Sequence, residues 1–591
     1  HHPTQGPPTA GFFEDPRPLD CPAHRLPQPS STLTRYLVTS ALPYANGPIH
    51  FGHVAGAYLP ADVYVRTLRM LGEDVLYVCG TDEHGVAITI NAEKAGQEYG
   101  EYVKHWHADI KQTFDELGIE FDVFSGTSQC AQHVETSQDF FTQLDANGFL
   151  ERRTTEQLYC PKDEMFLADR YVVGTCYSCG KPGARGDECP SCGTWIDPLQ
   201  LTEPACKLCG TTPERKATTH WYLDLPKLRD AKIGDWIQNH EWKPNVAAFI
   251  QNLLDDVPQR AITRDMRWGV PVPAEAAGDE VDKVLYVWFD APIGYVSFTK
   301  ELMAERGTPD AWKDWWQSPD TRLVHFIGKD NIPFHCLVFP SMLYGVGQDY
   351  VMPWQVPANE FYNLADGKFS TSEGRTLDLD TFFETYDREV TRFYILSTLP
   401  ETADAEFNLD NLVTLNNAAL AGNLGNLITR VLKFIAKNND GKVPQLTEAH
   451  REQYDTMMLT DCGEIGDPAE WVTQYRFRKA AETLIANASV ANVFMQRTEP
   501  WALRKTDPEA AASALNTLCE YIHWLARWMV PFLPNKAQAL WEMLGRPGKV
   551  ADQPWPGVPQ RAMWRSFEGG EALGEPAALF PRMDAPVAAD A

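Results

Sequence analysis

Apolar positions along the chain change their spacing several times, and each change marks a different kind of element. Residues 35–41 (RYLVTSA) form a short apolar run that predicts a buried strand, followed by a loop with Pro43, Asn46, Gly47 and Pro48 and then a helical pattern from His50 onward. A second strand is predicted over 75–79, with helical spacing over 88–95 and 101–117. Strands alternating with helices imply an α/β unit on a doubly wound parallel sheet. From about residue 151 to 210 the texture turns to closely spaced Cys, Gly and Pro, and a mixed stretch continues to about 255, which reads as an insertion. Strand-like runs return at 284–287 and 323–327, each followed by a helical pattern, so the sheet is expected to resume and the α/β domain to be split. Beyond about 408 the strands vanish, and apolar residues recur at helical spacing through 415–435, 471–494 and 511–533, the pattern of a helical bundle. The last forty or so residues carry Pro, Gly and Ala with little periodicity.

Composition adds limits to this picture. At 591 residues the chain exceeds what one hydrophobic core supports, so several packed units are expected. No apolar run is long enough to span a bilayer, and the polar, Pro-rich stretch 1–31 lacks the basic flank and apolar core of a secretory signal. A formal net charge of −28 repels a polyanion, so any RNA site must be a local basic patch. Of thirteen cysteines, seven fall between Cys160 and Cys209, many in C-x-x-C pairs, which points to metal in a reducing compartment and hence to the cytoplasm. Cys176-x2-Cys179-x9-Cys189-x2-Cys192 spaces two knuckles for a tetrahedral structural Zn2+ site with four thiolates, a dithiol redox pair being the rival reading.

Just past the first strand stands His50-Phe51-Gly52-His53, two histidines at the start of a helix. In an open α/β sheet, ligands bind beyond the carboxyl ends of strands, and a helix N-terminus offers N–H groups and positive dipole to phosphate. Gly52 would admit a nucleotide closely, and the imidazoles could donate to phosphoryl oxygens. Taken alone, the pattern fits equally one core histidine and one helix cap.

Four further stretches decide between these readings: Ala41-Leu42-Pro43-Tyr44-Ala45-Asn46-Gly47, Gly80-Thr81-Asp82-Glu83-His84-Gly85, Trp288-Phe289-Asp290-Ala291-Pro292-Ile293-Gly294-Tyr295, and Phe326-Ile327-Gly328-Lys329-Asp330 with His335 beyond. With H-F-G-H in the place of H-I-G-H, the chain resembles methionyl-tRNA synthetases, class I enzymes with a split Rossmann-type fold, from about residue 35 to 544. The resemblance implies ATP-dependent activation of L-methionine and its transfer to tRNA(Met), with Mg2+ accompanying ATP. It implies an N-terminal extension over 1–33, catalytic halves over 34–150 and 256–365, a zinc-knuckle connective insertion over 151–255, a loop and linker over 366–407, an α-helical anticodon-binding domain over 408–548 and a tail over 549–591.

By the same resemblance His50, Gly52 and His53 hold ATP, together with Lys368, Ser370, Thr371 and Ser372 of a loop similar to the family's K-M-S-K-S, with His50, His53 and Lys368 catalytic. Thr371 stands where the family carries its second lysine, a stabiliser of the transition state, so Lys368 or Arg375 must compensate or turnover is slow. Ala41, Leu42, Tyr44, Trp288, Ala291, Pro292, Tyr295, Ile332 and His335 are implied as the methionine pocket, with Asp82 for the ammonium. Asn426, Arg430 and Trp501 match anticodon-binding positions, Trp501 as a stacking platform. Some family members carry a second zinc; here Cys160, Asp163, Cys206 and Cys209 would supply three thiolates and one carboxylate. The reading further expects no membrane partner and a monomer. Its rivals are a synthetase for another apolar amino acid, which would bring a large editing domain, a non-catalytic tRNA-binding paralogue, and a small-molecule nucleotidyltransferase.

Overall fold

The first apolar run forms strand β1 (Arg35–Ser40), buried at every position after the first. Such burial on both faces marks a central strand of a covered parallel sheet. In the computed structural model, which describes residues 34–584 except 168–170, 187–188, 193, 195, 255–256, 279–282, 365–376 and 561–563, β1 lies at the middle of that sheet. On one side it pairs in parallel with β2 (Asp74–Thr81), which pairs with β3 (Val123–Gly126). On the other it pairs in parallel with β4 (Thr321–Gly328), which pairs with β5 (Pro353–Gln355). The order β5-β4-β1-β2-β3 reverses its winding between β1 and β4, and such a switch point opens a crevice at the strands' carboxyl ends. The fold is therefore α/β, doubly wound and split, as the alternation of elements implied.

One expected strand belongs elsewhere. The run at 284–287 gives a short strand, Lys283–Leu285, that pairs antiparallel with Thr263–Asp265 in a separate two-stranded sheet. The parallel sheet resumes only at β4. A short apolar run reports burial and says nothing of its partner, which tertiary packing decides.

Between β3 and β4 the chain makes a long antiparallel pairing of Leu150–Cys160 with Glu214–Leu223, and a three-stranded sheet of Val172–Thr175, Pro182–Arg185 and Thr202–Cys206 beyond it. Helix α1 (Leu59–Met70) follows β1, α2 (Tyr99–Glu116) and α3 (His133–Ala146) flank β3 in sequence, and α4 (Val287–Glu305) precedes β4. After β5 come α5 (Arg388–Ser397), α6 (Asn426–Asn438), α7 (Phe477–Thr498) and α8 (Pro508–Met529). One continuous apolar cluster runs from Val38 and Phe326 in the sheet through Phe393 to Leu427, Phe494 and Trp528 in the helices. The aperiodic stretch after residue 549 is pinned to the bundle: Trp564, Phe567, Leu579 and Phe580 are buried, and the Trp524 indole N–H donates to the Trp564 carbonyl at 2.7 Å. Among the described residues no helix is long and apolar enough to cross a membrane.

Candidate active site

At the switch point, between the ends of β1 and β4, opens a cavity of about 440 Å³. The segment after β1 contributes Ala41, Leu42 and Tyr44 and then the two histidines; the end of β2 contributes Asp82. α4 turns Trp288, Ala291, Pro292 and Tyr295 toward the same space, and His335 closes it from beyond β4. Four separated stretches of sequence thus meet on one cavity. Ile332, 1% exposed, is buried close by and does not line it.

The histidine pair is set by a backbone change. His50 is extended (φ −131°, ψ 171°) and caps the helical turn Phe51–His53, which widens into Val54–Tyr58 before continuing as α1. The His50 backbone N–H donates to His53 Nδ1 at 3.2 Å, and the two rings stack with centroids 3.8 Å apart. A Cβ at Gly52 would fall 2.9 Å from the Tyr362 carbonyl oxygen and from the His50 ring, so only glycine fits. Phe51 points the opposite way, into the rings of Phe382 and Phe407, with centroids 5.2 and 4.8 Å away. Desolvation lowers His50 to about 2, helped by the adjacent His53 ring, and lowers His53, whose ring is exposed along the cavity, to about 4. Lowered in this way, each ring favours its neutral form, which can offer an N–H to a ligand beside the N–H groups of the helix N-terminus.

Asp82 is held by the backbone around it. Its N–H donates to the Pro43 carbonyl at 2.9 Å, and its carbonyl accepts from the Ala45 N–H at 2.9 Å, tying the loop after β1 to the end of β2. Burial, then the neighbouring Asp290 charge, raises the Asp82 carboxyl well above the usual range. Gly85 has φ +103°, and a Cβ there would lie 2.3 Å from the Tyr44 hydroxyl, so this glycine makes room for Tyr44 on the wall. Opposite, the Tyr295 hydroxyl meets His335 Nε2 at 2.9 Å, and His335 Nδ1 meets the Asn331 carbonyl at 3.1 Å. Trp288 remains 43% exposed and stands edge-on to Phe334, a hydrophobic rim rather than a core residue. The cavity can therefore take an apolar side chain between aromatic walls, a cationic group at Asp82 and a phosphate at the helix N-terminus.

Part of the wall had no advance sign. Glu360, Phe361, Tyr362 and Asn363 line the cavity, and Lys329 Nζ fixes Glu360 at 2.8 Å while pairing with Asp404 at 2.8 Å. Nothing in their spacing distinguishes these residues from an ordinary loop. Lys368, Ser370, Thr371, Ser372 and Arg375 lie outside the described residues.

The cysteines of the insertion gather into two groups. One ligand atom each from Cys176, Cys179, Cys189 and Cys192 lie within 4.8 Å of one another, as do those of Cys160, Asp163, Cys206 and Cys209. Tetrahedral Zn–S bonds of about 2.3 Å place sulfurs about 3.8 Å apart. In the first group Cys176 and Cys192 are 3.9 Å apart and Cys179 and Cys189 3.7 Å, close to that edge. In the second, Asp163 Oδ2 sits 3.2 Å from Cys160 Sγ and 3.0 Å from Cys206 Sγ, completing a fourth corner where a thiol is replaced. Both donor sets fit zinc, and neither leaves a position free for chemistry.

On the bundle, the Arg430 guanidinium lies over the Trp501 ring at 5.1 Å. These two residues line a cavity of about 370 Å³ with Lys433 and Lys437. Trp501 is 38% exposed, so it is no bundle-core residue. Asn426 stands one helical turn before Arg430 on α6 and does not line the cavity.

Comparison with known proteins agrees with this geometry. Residues 36–432 match the family described as tRNA synthetases class I (M), and 448–589 match the anticodon binding domain of methionyl tRNA ligase. The methionine–tRNA ligase of Salinibacter ruber is 47% identical over 523 residues, covering 86% of this chain and 73% of that one. Its counterpart in Chlamydia pneumoniae is 43% identical over 512 residues, covering 86% and 92%. In fold, the chain superposes on the Mycobacterium tuberculosis methionyl-tRNA synthetase in complex with methionyl-adenylate with a TM-score of 0.72, at 24% identity, over 93% of this chain and all of that one. With a family match over most of its length and a cleft of matching construction, the chain belongs to the class I methionyl-tRNA synthetases.

Proposed function

We propose that this cleft activates L-methionine with ATP and passes the methionyl group to tRNA(Met), the reaction of a methionine–tRNA ligase. The observation that carries this reading is the meeting, on one cavity, of a histidine-bearing helix N-terminus, a buried carboxylate and an aromatic rim. An oxygen of the methionine carboxylate attacks the α-phosphorus of ATP, the bond to the bridging oxygen breaks, and pyrophosphate leaves. The terminal ribose hydroxyl of tRNA then attacks the activated carbonyl and releases AMP. Little covalent help is needed, so positioning and charge neutralisation dominate.

His50 and His53 donate from neutral imidazoles to phosphoryl oxygens, and Gly52 lets the nucleotide approach. Asp82 receives the ammonium, while Tyr295, His335 and Trp288 enclose the thioether. Lys368 supplies a cation to the phosphates. Mg2+ brought in with ATP would neutralise phosphate charge. Cys176, Cys179, Cys189 and Cys192, and the set with Asp163, would each hold a structural Zn2+ that fixes the insertion. Trp501, Arg430 and Asn426 read the anticodon. The protein acts in the cytoplasm, and we take it to be a monomer, which light scattering at one chain mass would support.

Amino-acid-dependent ATP/pyrophosphate exchange tests the reading. Exchange with methionine alone, not with leucine, isoleucine or valine, and lost in Lys368→Ala, is the expected result. No exchange with any amino acid from folded protein would leave a tRNA-binding paralogue as the account.

A further inference from the structure

Behind the α4 wall of the cleft lie three buried ionisable groups that the reaction above does not use. Asp290, 0% exposed in the first turn of α4, directs Oδ2 at His84 Nδ1 at 2.6 Å and at His133 Nε2 at 3.5 Å. Both rings are buried, and His133 Nδ1 meets Ser297 Oγ at 2.9 Å. The three could be taken for a metal site, since their ligand atoms lie within 4.8 Å of one another. Here two of them are joined directly instead, by the short 2.6 Å hydrogen bond between Asp290 and His84. Asp290 Oδ1 has no hydrogen-bond partner among the described residues. A buried carboxylate held in this way is costly, and such a cost points to use.

The link to the cleft is His84. Its ring is tied to Asp290, and its backbone N–H donates to Asp82 Oδ1 at 3.3 Å. The charged groups facing Asp82 are Asp290 and Glu83. Glu83 is occupied by the Thr81 hydroxyl, the Ser128 hydroxyl and backbone N–H, and the Gln129 amide, with His107 3.6 Å away. No cation pairs with Asp82 among the described residues. Two buried carboxylates side by side, one facing a cavity and lacking a counterion, are complementary to an ammonium ion.

We propose that Asp290, clamped by His84 and His133, is a positioning residue for the ammonium group of the amino-acid substrate, fixing through His84 the turn that presents Asp82 and standing behind it as a second anion. This rests on the methionine-activating reading above. The two carboxyls divide the charge: His84 and His133 hold Asp290 below the ordinary carboxylate range against the effect of burial, while burial and Asp290 hold Asp82 above it. Burial and Asp290 favour the protonated form of Asp82 and a bound ammonium favours its carboxylate, so methionine binds more weakly as pH falls.

The test compares wild type with Asp290→Asn in methionine-dependent exchange from about pH 5.5 to 8.5. It also measures inhibition by 4-(methylthio)butanoate, which lacks the amino group. The substitution should raise KM for methionine about tenfold near neutrality with kcat changed less than about threefold. It should also move the acid limb of kcat/KM to lower pH, because Asp82 loses its neighbouring charge. Inhibition by the amine-free analogue should be unchanged. His133→Gln, which keeps the carboxylate and its bond to His84, should give a smaller rise in KM. An unmoved KM and acid limb in Asp290→Asn would overturn the proposal, as would an equal weakening of the amine-free analogue, the mark of a merely structural role. Wild type inert toward methionine would sink the functional reading itself, a result distinct from either.

Discussion

Gly52 occupies the tightest place in the site. A Cβ at this position meets the Tyr362 carbonyl and the His50 ring together, and backbone cannot move aside as a flexible side chain would. Gly52→Ala should therefore displace the histidine pair and lower kcat for exchange by about tenfold or more, since small misplacements of positioned groups are costly. Phe51 should still hold the helix in its aromatic nest, so the melting temperature should fall by only a few degrees. Full activity in the alanine variant would show that the imidazole stack is not set by this contact. Gly52 was legible in the sequence because it stands between the two histidines of one short motif, although its contact with the Tyr362 carbonyl was not. Glu360 and Tyr362 were not, because their place on the wall depends on how a loop after β5 returns across the sheet. Asp290 was read as part of a matching stretch, yet its pairing with His84 and His133 joins three distant segments and had no sequence sign.

Among the elements, those whose chemistry is local were the readable ones. The knuckle spacing predicts a zinc site that the sulfur positions fit, and Cys179→Ser should remove about one equivalent of bound zinc. Cys206→Ser should remove a second equivalent, counted by metal analysis of purified protein; a chain holding one zinc before and after that change would show that the Asp163 set does not bind. The bundle helices followed from apolar spacing, but the two-stranded pairing of Lys283–Leu285 did not. The burial of Trp564 and Phe567 escaped for another reason: isolated apolar residues in an irregular segment have no period, and the bundle's indole N–H groups anchor that segment. On α6 and the helix that begins at Pro500, Arg430 and Trp501 form a cation–π pair on an exposed face, a surface suited to an unstacked base. Trp501→Ala should raise KM for tRNA in aminoacylation by at least about tenfold. It should leave methionine-dependent exchange unaltered, because the cleft is built from other elements. A parallel loss of both activities would assign Trp501 to stability instead.

The sheet and the bundle share one apolar cluster, and the buried cation Arg392 is fixed inside it. Arg392 of α5, 0% exposed, donates to the carbonyls of Leu117 at 3.1 Å and Gly118 at 3.2 Å after α2, and to those of Pro531 at 2.8 Å and Phe532 at 3.2 Å after α8. It also pairs with Asp62 of α1, which Arg66 holds from the other side at 2.9 Å. Every donor direction of the guanidinium is thus spent on joining α1, the turn after α2 and the turn after α8. The sequence shows only an arginine in an amphipathic helix, where a solvated charge is the ordinary expectation. Removing one partner of such a buried set strands the other groups, at a cost of about 3–5 kcal/mol. Arg66 remains to neutralise Asp62 and to donate to the Gly118 carbonyl at 2.8 Å, so the main loss in Arg392→Met falls on the carbonyls of Leu117, Pro531 and Phe532. A chain of this size need not unfold in one two-state step, and the change should appear as an earlier calorimetric onset and faster proteolysis between α5 and α8. Exchange at low temperature should survive, because the cleft draws no residue from this junction, while charging of tRNA, which needs the cleft and the anticodon face held in register, should fall further. An unshifted thermogram in Arg392→Met would mean that the apolar cluster alone joins the two parts.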